Sequence, residues 1–266
     1  MNGKYPLVSI ITPSYNQVRF LEATIQSVLN QSYPNIEYII IDGGSDDGSV
    51  ELIEKYADKL AYWVSEPDKG QTDAINKGFA QAKGEVMAWL NSDDTYFPDA
   101  VSTAMDYLMA HPETGLVYGD TNFIDEHDHL MGLFPARQTS HTRIRRGYVH
   151  IPQQSAFWRS DLWKQVGPLD PTFYFAMDYD LWVRLSGVSE IKYVPGVLAN
   201  FRLHGDSKTI QDDDRCWPEM VRIHRRDGGG WLSVLTIKYL LRKLLAPLVT
   251  LRRRRRVASA AEKETK

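Results

Sequence analysis

A single cysteine, Cys216, rules out an intrachain disulfide and fits a reducing compartment. Long apolar runs are scarce as well. The first, Leu7–Thr12, is far too short for a signal-peptide core and reads as a strand. A P-loop and a GxGxxG fingerprint are both missing. So is the second acid that a haloacid-type phosphatase carries two residues after its first: after Asp42 that position is Gly44. Basic charge is in short supply over most of the chain. From Trp231 onward there are ten Lys/Arg against two Glu, a net of +8; the totals of 31 basic and 34 acidic residues leave the remainder at −11. An acidic body of that kind argues against a nucleic-acid-binding domain, and no nucleic-acid partner is expected.

What is present suits one large domain, or one domain with an appendage: 266 residues, 43% hydrophobic and 11% aromatic. Apolar strands at Leu7–Thr12, Ile36–Asp42, Ala61–Ser65 and Val86–Leu90 alternate with helical patterns at Phe20–Leu29, Val50–Tyr56, Thr72–Ala82 and Asp99–His111. Gly84 is placed to end the third helix. That rhythm predicts right-handed βαβ crossovers and a parallel sheet. After Gly115–Tyr118 it breaks, and Asn122–Phe134 reads as a hairpin across Asp125–Asp128.

Three of the strands run straight into polar clusters: Pro13-Ser14-Tyr15-Asn16, Asp42-Gly43-Gly44-Ser45-Asp46-Asp47-Gly48 and Asn91-Ser92-Asp93-Asp94. The carboxyl ends of parallel strands share one rim of the sheet, where ligands bind. Adjacent acids ending a buried strand are costly unless a cation or a donor sits between them. Asp93 and Asp94 therefore read as a site for a hard divalent ion, Mg²⁺ or Mn²⁺, shared with a substrate phosphate. Capping of the helix at Asp99 accounts for one of these acids, less comfortably for two. Asp42 either accepts a base N–H or closes a turn. Asp73 and Asn76, one helical turn apart, either fix a ribose or sugar hydroxyl or form a solvated helix face. In FYFAMDYDLWVRL, Asp178 lies among apolar neighbours and suits a general base. Asp180 suits a helix N-cap with Arg184 as its i+4 partner. His204, in a loop after a strand, carries no weight alone.

Taken in order, VSIITPSYNQ, IDGGSDDGS, EPDKGQTDAINKGFAQAKGE, WLNSDD, AMDYDLWVRL and FRLHGDS resemble the family-2 glycosyltransferases, inverting enzymes of GT-A fold that use nucleotide-diphosphate sugars. The resemblance runs from Pro6 to Ser207 and implies an α/β fold: a Rossmann-like, mostly parallel sheet with helices on both faces. Residues 1–230 would form the GT-A domain, with 1–120 the nucleotide-sugar-binding half and 121–230 the acceptor and catalytic half. Pro13, Tyr15 and Asp42 would surround the base and ribose, with Asp73 and Asn76 also on the donor. Asn91-Ser92-Asp93 matches the DXD-type motif, with Asp93 the ligand of Mn²⁺ or Mg²⁺. His204 would approach that metal or the diphosphate, and Asp178 would deprotonate the acceptor hydroxyl. Two positions depart from the family pattern. Asn91 replaces the first acid of the metal motif, and Met177 replaces the acid that usually precedes the base.

Residues 231–266 are expected to form an amphipathic basic tail. In Trp231–Leu251, Lys238, Arg242, Lys243 and Pro247 interrupt the apolar residues, which is poor for spanning a bilayer and good for lying in its interface. Arg252–Arg256 adds five cations, each worth about 1 kcal/mol near an anionic leaflet. A helix docked on the domain with a solvated charge run is a second reading, and RNA binding a third, which the acidic body weakens. The expected protein is cytoplasmic, peripheral on the inner face of the cell membrane through 231–256. It would pass a sugar, first of all from a UDP-sugar, to a lipid-linked or glycan acceptor in surface polysaccharide synthesis. A sugar nucleotidyltransferase would want a glycine-rich loop with a basic residue after the first strand, which PSYNQ lacks. A non-catalytic nucleotide-sugar-binding protein would be expected to lack a base such as Asp178.

Overall fold

The computed structural model describes residues 4–244, apart from residues 135, 149, 206 and 208–212 and the side chains of residues 213–215. The first half alternates strand and helix: β1 (Val8–Ser14), α1 (Val18–Leu29), β2 (Ile36–Asp42), α2 (Ser49–Lys55), β3 (Tyr62–Ser65), α3 (Gln71–Gln81) and β4 (Val86–Trp89). These strands pair in parallel in the order β3-β2-β1-β4, so their carboxyl ends reach one rim. The apolar runs are continuous because both faces of the sheet are covered. Ile11, Ile39 and Ile41 turn to one layer with Phe79 of α3, while Ile10, Tyr38 and Ile40 turn to the other with Leu21 and Ile25 of α1.

Beyond β4 come β5 (Thr95–Tyr96), α4 (Ala100–Ala110), β6 (Thr114–Ile124), β7 (Leu130–Phe134), α5 (His141–Ile144), β8 (Ala156–Arg159), α6 (Ser160–Val166), α7 (Met177–Val188), β9 (Glu190–Arg202) and α8 (Asp213–Arg226). The hairpin expected across Asp125–Asp128 is β6–β7. The sheet continues β4-β8-β6-β9-β5, with β8 antiparallel to both neighbours and β6–β9 a long parallel pair. Parallel pairings supply most of the ladder.

Two packing features place the site. The short strand β5 pairs antiparallel with β9, Thr95 opposite Asn200. That pairing brings the loop after β9, with His204, back to the polar end of β4. On the opposite layer, Trp182 of α7 stacks on Trp89 of β4, ring centroids 5.9 Å apart and planes within 10°. Trp158 of β8 packs edge-on against both. This buried indole cluster fixes α7, which carries Asp178 in its first turn, against the sheet.

The expectation for Gly84 needs correcting. The helix stops at Ala82 in an extended conformation, and a Cβ on Gly84 would meet Ser9 Oγ at 2.5 Å and the Leu7 carbonyl at 2.9 Å. Glycine is needed there for the close approach to β1. Gly78 is required for the same reason on the helix, where a Cβ would meet Ile11 Cγ2 at 2.5 Å.

Candidate active site

The rim of strand ends opens on a cavity of about 840 Å³. Pro13, Ser14, Tyr15 and Gln17 from the β1 end, and Asn91, Ser92 and Asp93 from the β4 end, line one side. Tyr174, Phe175, Met177 and Asp178 line another, with Thr121, Phe134 and Phe201 from the second half of the sheet. Asp93 and Asp178, far apart in sequence, thus face the same space.

At the β1 and β2 ends, two loops are stitched together. Asn16 takes the left-handed conformation, φ 51°, where asparagine is tolerated. Its N–H donates to Ser45 Oγ, and its side-chain oxygen accepts from the Asp46 N–H. Asp42 is wholly buried beneath this turn. Its carboxylate accepts from the N–H groups of Gly44 and Ser45 and from the hydroxyls of Ser45 and Ser65, at 2.6–3.1 Å. Asp42 therefore folds the loop and does not itself line the cavity. Gly43 does, together with Asp68; a Cβ on Gly43 would meet Asp68 Oδ2 at 2.9 Å and the Tyr15 ring at 3.2 Å.

Asp73 and Asn76 also turn to protein partners and are not among the lining residues. Asp73 accepts from the Lys69 N–H and lies 3.5 Å from Lys77 Nζ. The Asn76 amide makes two 2.9 Å bonds with the backbone of Leu169, holding the segment that leads into Asp178. Asp73 is thus spent on its own helix start, and Asn76 on a segment 93 residues further along the chain.

The end of β4 is the most heavily bonded part. Asn91 accepts from Gln71 and donates to Asp94 Oδ2 and Gln153 Oε1. Gln153 donates in turn to the Trp89 carbonyl. Asp94 is wholly buried and accepts from Arg202 N–H, Gln154 and Asn91. Burial, and next the adjacent Asp93 carboxylate, push its carboxyl well above the usual range against the pull of those donors. Neither acid caps α4, whose N-terminus makes no side-chain capping bond.

Asp93 points the other way. Its Oδ2 lies 3.0 Å from His204 Nε2, and its carbonyl accepts from Arg202 Nε. The His204 ring is buried against Phe20, centroids 4.6 Å apart, and the His204 backbone N–H donates to the hydroxyl of Ser207, a lining residue. Among the described residues no group of three or more His, Cys, Asp or Glu converges on an ion. A carboxylate and an imidazole at this separation nonetheless fit as two ligands of one divalent ion.

Asp178 is the second residue of α7 and accepts from the Tyr179 N–H at 2.6 Å. Asp180 is not the N-cap; Ala176 is, and Asp180 lies wholly buried in the first turn. It bonds Arg184 Nε at 2.9 Å, as the i+4 spacing implies, and also Arg226 of α8. Met177, in the place of the family's acid, is buried and accepts from Thr72 Oγ1 at 2.9 Å. The substitution exchanges a charge for a contact between α7 and α3.

Asp68 and Gln71 line the cavity without having been singled out from sequence, and Ile151–Gln154, in a second-half loop expected to select the acceptor but matching no diagnostic motif, lines it too. Asp68 carried a signal, in its place between a proline and Gly70. The glutamines carried none, since their importance lies in partners far along the chain.

Comparison with known proteins agrees with this architecture. The Glycosyl transferase family 2 profile matches residues 9–166. A glycosyltransferase of Mycobacterium tuberculosis, itself uncharacterised, is 35% identical over 231 residues, covering 83% of this chain and 85% of the relative. The chain belongs to glycosyl transferase family 2 and is a glycosyltransferase. Among solved structures, S. aureus TarS in complex with UDP-GlcNAc superposes with a TM-score of 0.69 at 15% identity, over 88% of this chain and 71% of that one. The mannosyltransferase PcManGT of Pyrobaculum calidifontis, in complex with GDP-Man and Mn²⁺, gives 0.62 at 18%, over 82% and 65%. The fold is the mixed α/β, mostly parallel GT-A type.

Proposed function

We propose that the protein is an inverting glycosyltransferase that moves a sugar from a nucleotide-diphosphate sugar to an acceptor hydroxyl. The observation that carries this reading is that Asp93 and Asp178, one from the end of β4 and one from α7, line one cavity, in a volume suited to a small organic ligand. The nucleotide lies at the β1 and β2 ends. There Tyr15, 62% exposed at the mouth, offers a ring face to the base, and Asp68 offers a carboxylate to ring N–H or ribose groups. Asp42 acts beneath, by holding the loop that carries Gly43. TarS with its UDP-GlcNAc and PcManGT with its GDP-Man support a nucleotide sugar as donor, with a UDP-sugar the first to test.

Asp93 and His204 would hold the divalent ion, Mn²⁺ or Mg²⁺, which supplies charge to the departing diphosphate. The buried imidazole favours Mn²⁺, the softer of the two. Asp178 accepts the proton of the acceptor hydroxyl as its oxygen bonds the anomeric carbon and the bond to the diphosphate breaks. One displacement inverts the configuration. Phe134, Tyr174, Phe175 and Phe201 give the acceptor side aromatic faces on which sugar rings can stack.

The acceptor is a lipid-linked or glycan intermediate, met at the inner face of the cell membrane. The support comes from residues 231–244. Leu235 and Thr236 are buried against the domain, whereas Val234, Ile237, Leu240, Leu241 and Leu244 stand exposed at helical spacing, with Trp231 and Leu232 ahead of them. This segment is therefore both docked and amphipathic. Among the described residues no helix is long and apolar enough to cross a membrane. Pro247 and Arg252–Arg256 fall outside the described residues. Transfer assays over a panel of nucleotide sugars with Mn²⁺ test the reading; absence of both transfer and nucleotide binding across the panel overturns it. Removal of residues 231–266 should abolish flotation with anionic liposomes, and unchanged flotation overturns the membrane attachment.

A further inference from the structure

Nothing in the proposed chemistry uses α8, yet one face of it grips the segment that delivers Asp178. The backbone N–H groups of Tyr174, Phe175 and Ala176, three in succession just ahead of α7, all converge on the Glu219 carboxylate. Tyr174 donates to Oε1 at 2.9 Å, and Phe175 and Ala176 donate to Oε2 at 2.8 Å each. Successive N–H groups aimed one way form an anion-binding concavity, and here the anion is a side chain of the same protein. One turn on, Arg222 donates to the carbonyl and hydroxyl of Thr172 at 2.7 and 3.0 Å and sits 4.0 Å over the Phe173 ring. A further turn on, Arg226 reaches buried Asp180.

We infer that Glu219 is a positioning residue for glycosyl transfer, acting through the 174–178 turn. Tyr174, Phe175, Met177 and Asp178 all line the cavity, so the turn that Glu219 holds is the cavity wall that carries the proposed base. Bonds to a charged acceptor are about twice as strong as neutral ones, and three on one carboxylate fix both the direction and the height of the turn. A displacement of about 1 Å in such a wall costs about 100-fold in rate. Among the described residues, the hydrogen bonds of the Glu219 carboxylate go to 174–176 and not to the donor end, built from β1, β2 and β4, which should be indifferent to it.

The inference rests on the proposed role of Asp178, and two readouts separate them. Glu219→Ala should lower kcat about 100-fold, with the nucleotide dissociation constant unchanged within twofold. Glu219→Gln, which keeps one acceptor oxygen in place, should fall between it and the wild type. Independently of any activity, amide hydrogen exchange over residues 174–176 should quicken in Glu219→Ala, while exchange over 8–14 and 86–89 stays slow. A wild-type kcat in Glu219→Gln, or unchanged exchange at 174–176 in Glu219→Ala, overturns the inference. Quickened exchange in an enzyme whose wild type transfers no sugar sustains the clamp and sinks the proposed function instead.

Discussion

At the end of β4 and at the start of α7 the chain sets two aspartates close together, and in each pair one faces the cavity while the other is wholly buried. The buried members are satisfied differently. Asp94 has neutral donors, two side-chain amides and a backbone N–H, and its carboxyl is pushed well up by burial and by Asp93. Asp180 has two guanidinium partners, one from its own helix and one from α8. The difference shows how each exposed partner is held. Asp93 stands on a rigid strand end closed by a polar network that works with little charge. Asp178 stands on a helix start that depends on ionic ties to an element much later in the chain.

That contrast can be broken experimentally, and the largest effect should come from its ionic side. Asp180→Ala leaves Arg184 without its buried partner and should cost about 3 kcal/mol in urea unfolding. This is the low end for a buried pair, because Arg226 is 42% exposed and regains water. A loss below about 1 kcal/mol would mean that the pair is not a structural tie. On the exposed members, Asp93→Ala should reduce transfer about 100-fold or more with stability nearly unchanged. An equal fall in melting temperature would move Asp93 to the structural side. His204→Ala should raise the Mn²⁺ concentration for half-maximal transfer about tenfold, and an unchanged Mn²⁺ curve would detach the imidazole from the ion.

The smallest effect is a slope. With its pKa raised above 3.8, Asp94 keeps a proton in the folded chain that the unfolded chain releases. Its contribution to stability therefore falls as pH rises from about 4, and levels off only above the raised folded value. Asp94→Asn cannot titrate, so its stability relative to the wild type should improve steadily with pH over that window. A difference that does not change with pH would place the charge elsewhere.

Much of the donor half was legible because its signals are local. Continuous apolar runs named β1, β2 and β4, and the polar clusters at their ends named the rim. The strand partners of the second half were not legible, since β8 inserts antiparallel between β4 and β6 through contacts no period reveals. Side-chain roles followed the same divide. Asp93 and Asp178 do reach the cavity, but Asp42, Asp73 and Asn76 find partners in their own loops or at Leu169. A carboxylate at a strand end looks the same in sequence whether it turns outward to a ligand or inward to four donors. Glu219 was invisible for a related reason. Its three bonds span more than 40 residues, and a lone acid in a charged helix carries no mark of them.

The central claim is that the carboxylate of Asp178 takes the acceptor proton in a cavity whose donor end is built independently. The direct measurement is a paired one on Asp178→Asn: nucleotide affinity by calorimetry and sugar transfer under saturating donor. The account predicts unchanged affinity with transfer reduced about 1,000-fold. Transfer at the wild-type rate, or affinity lost together with transfer, would contradict it.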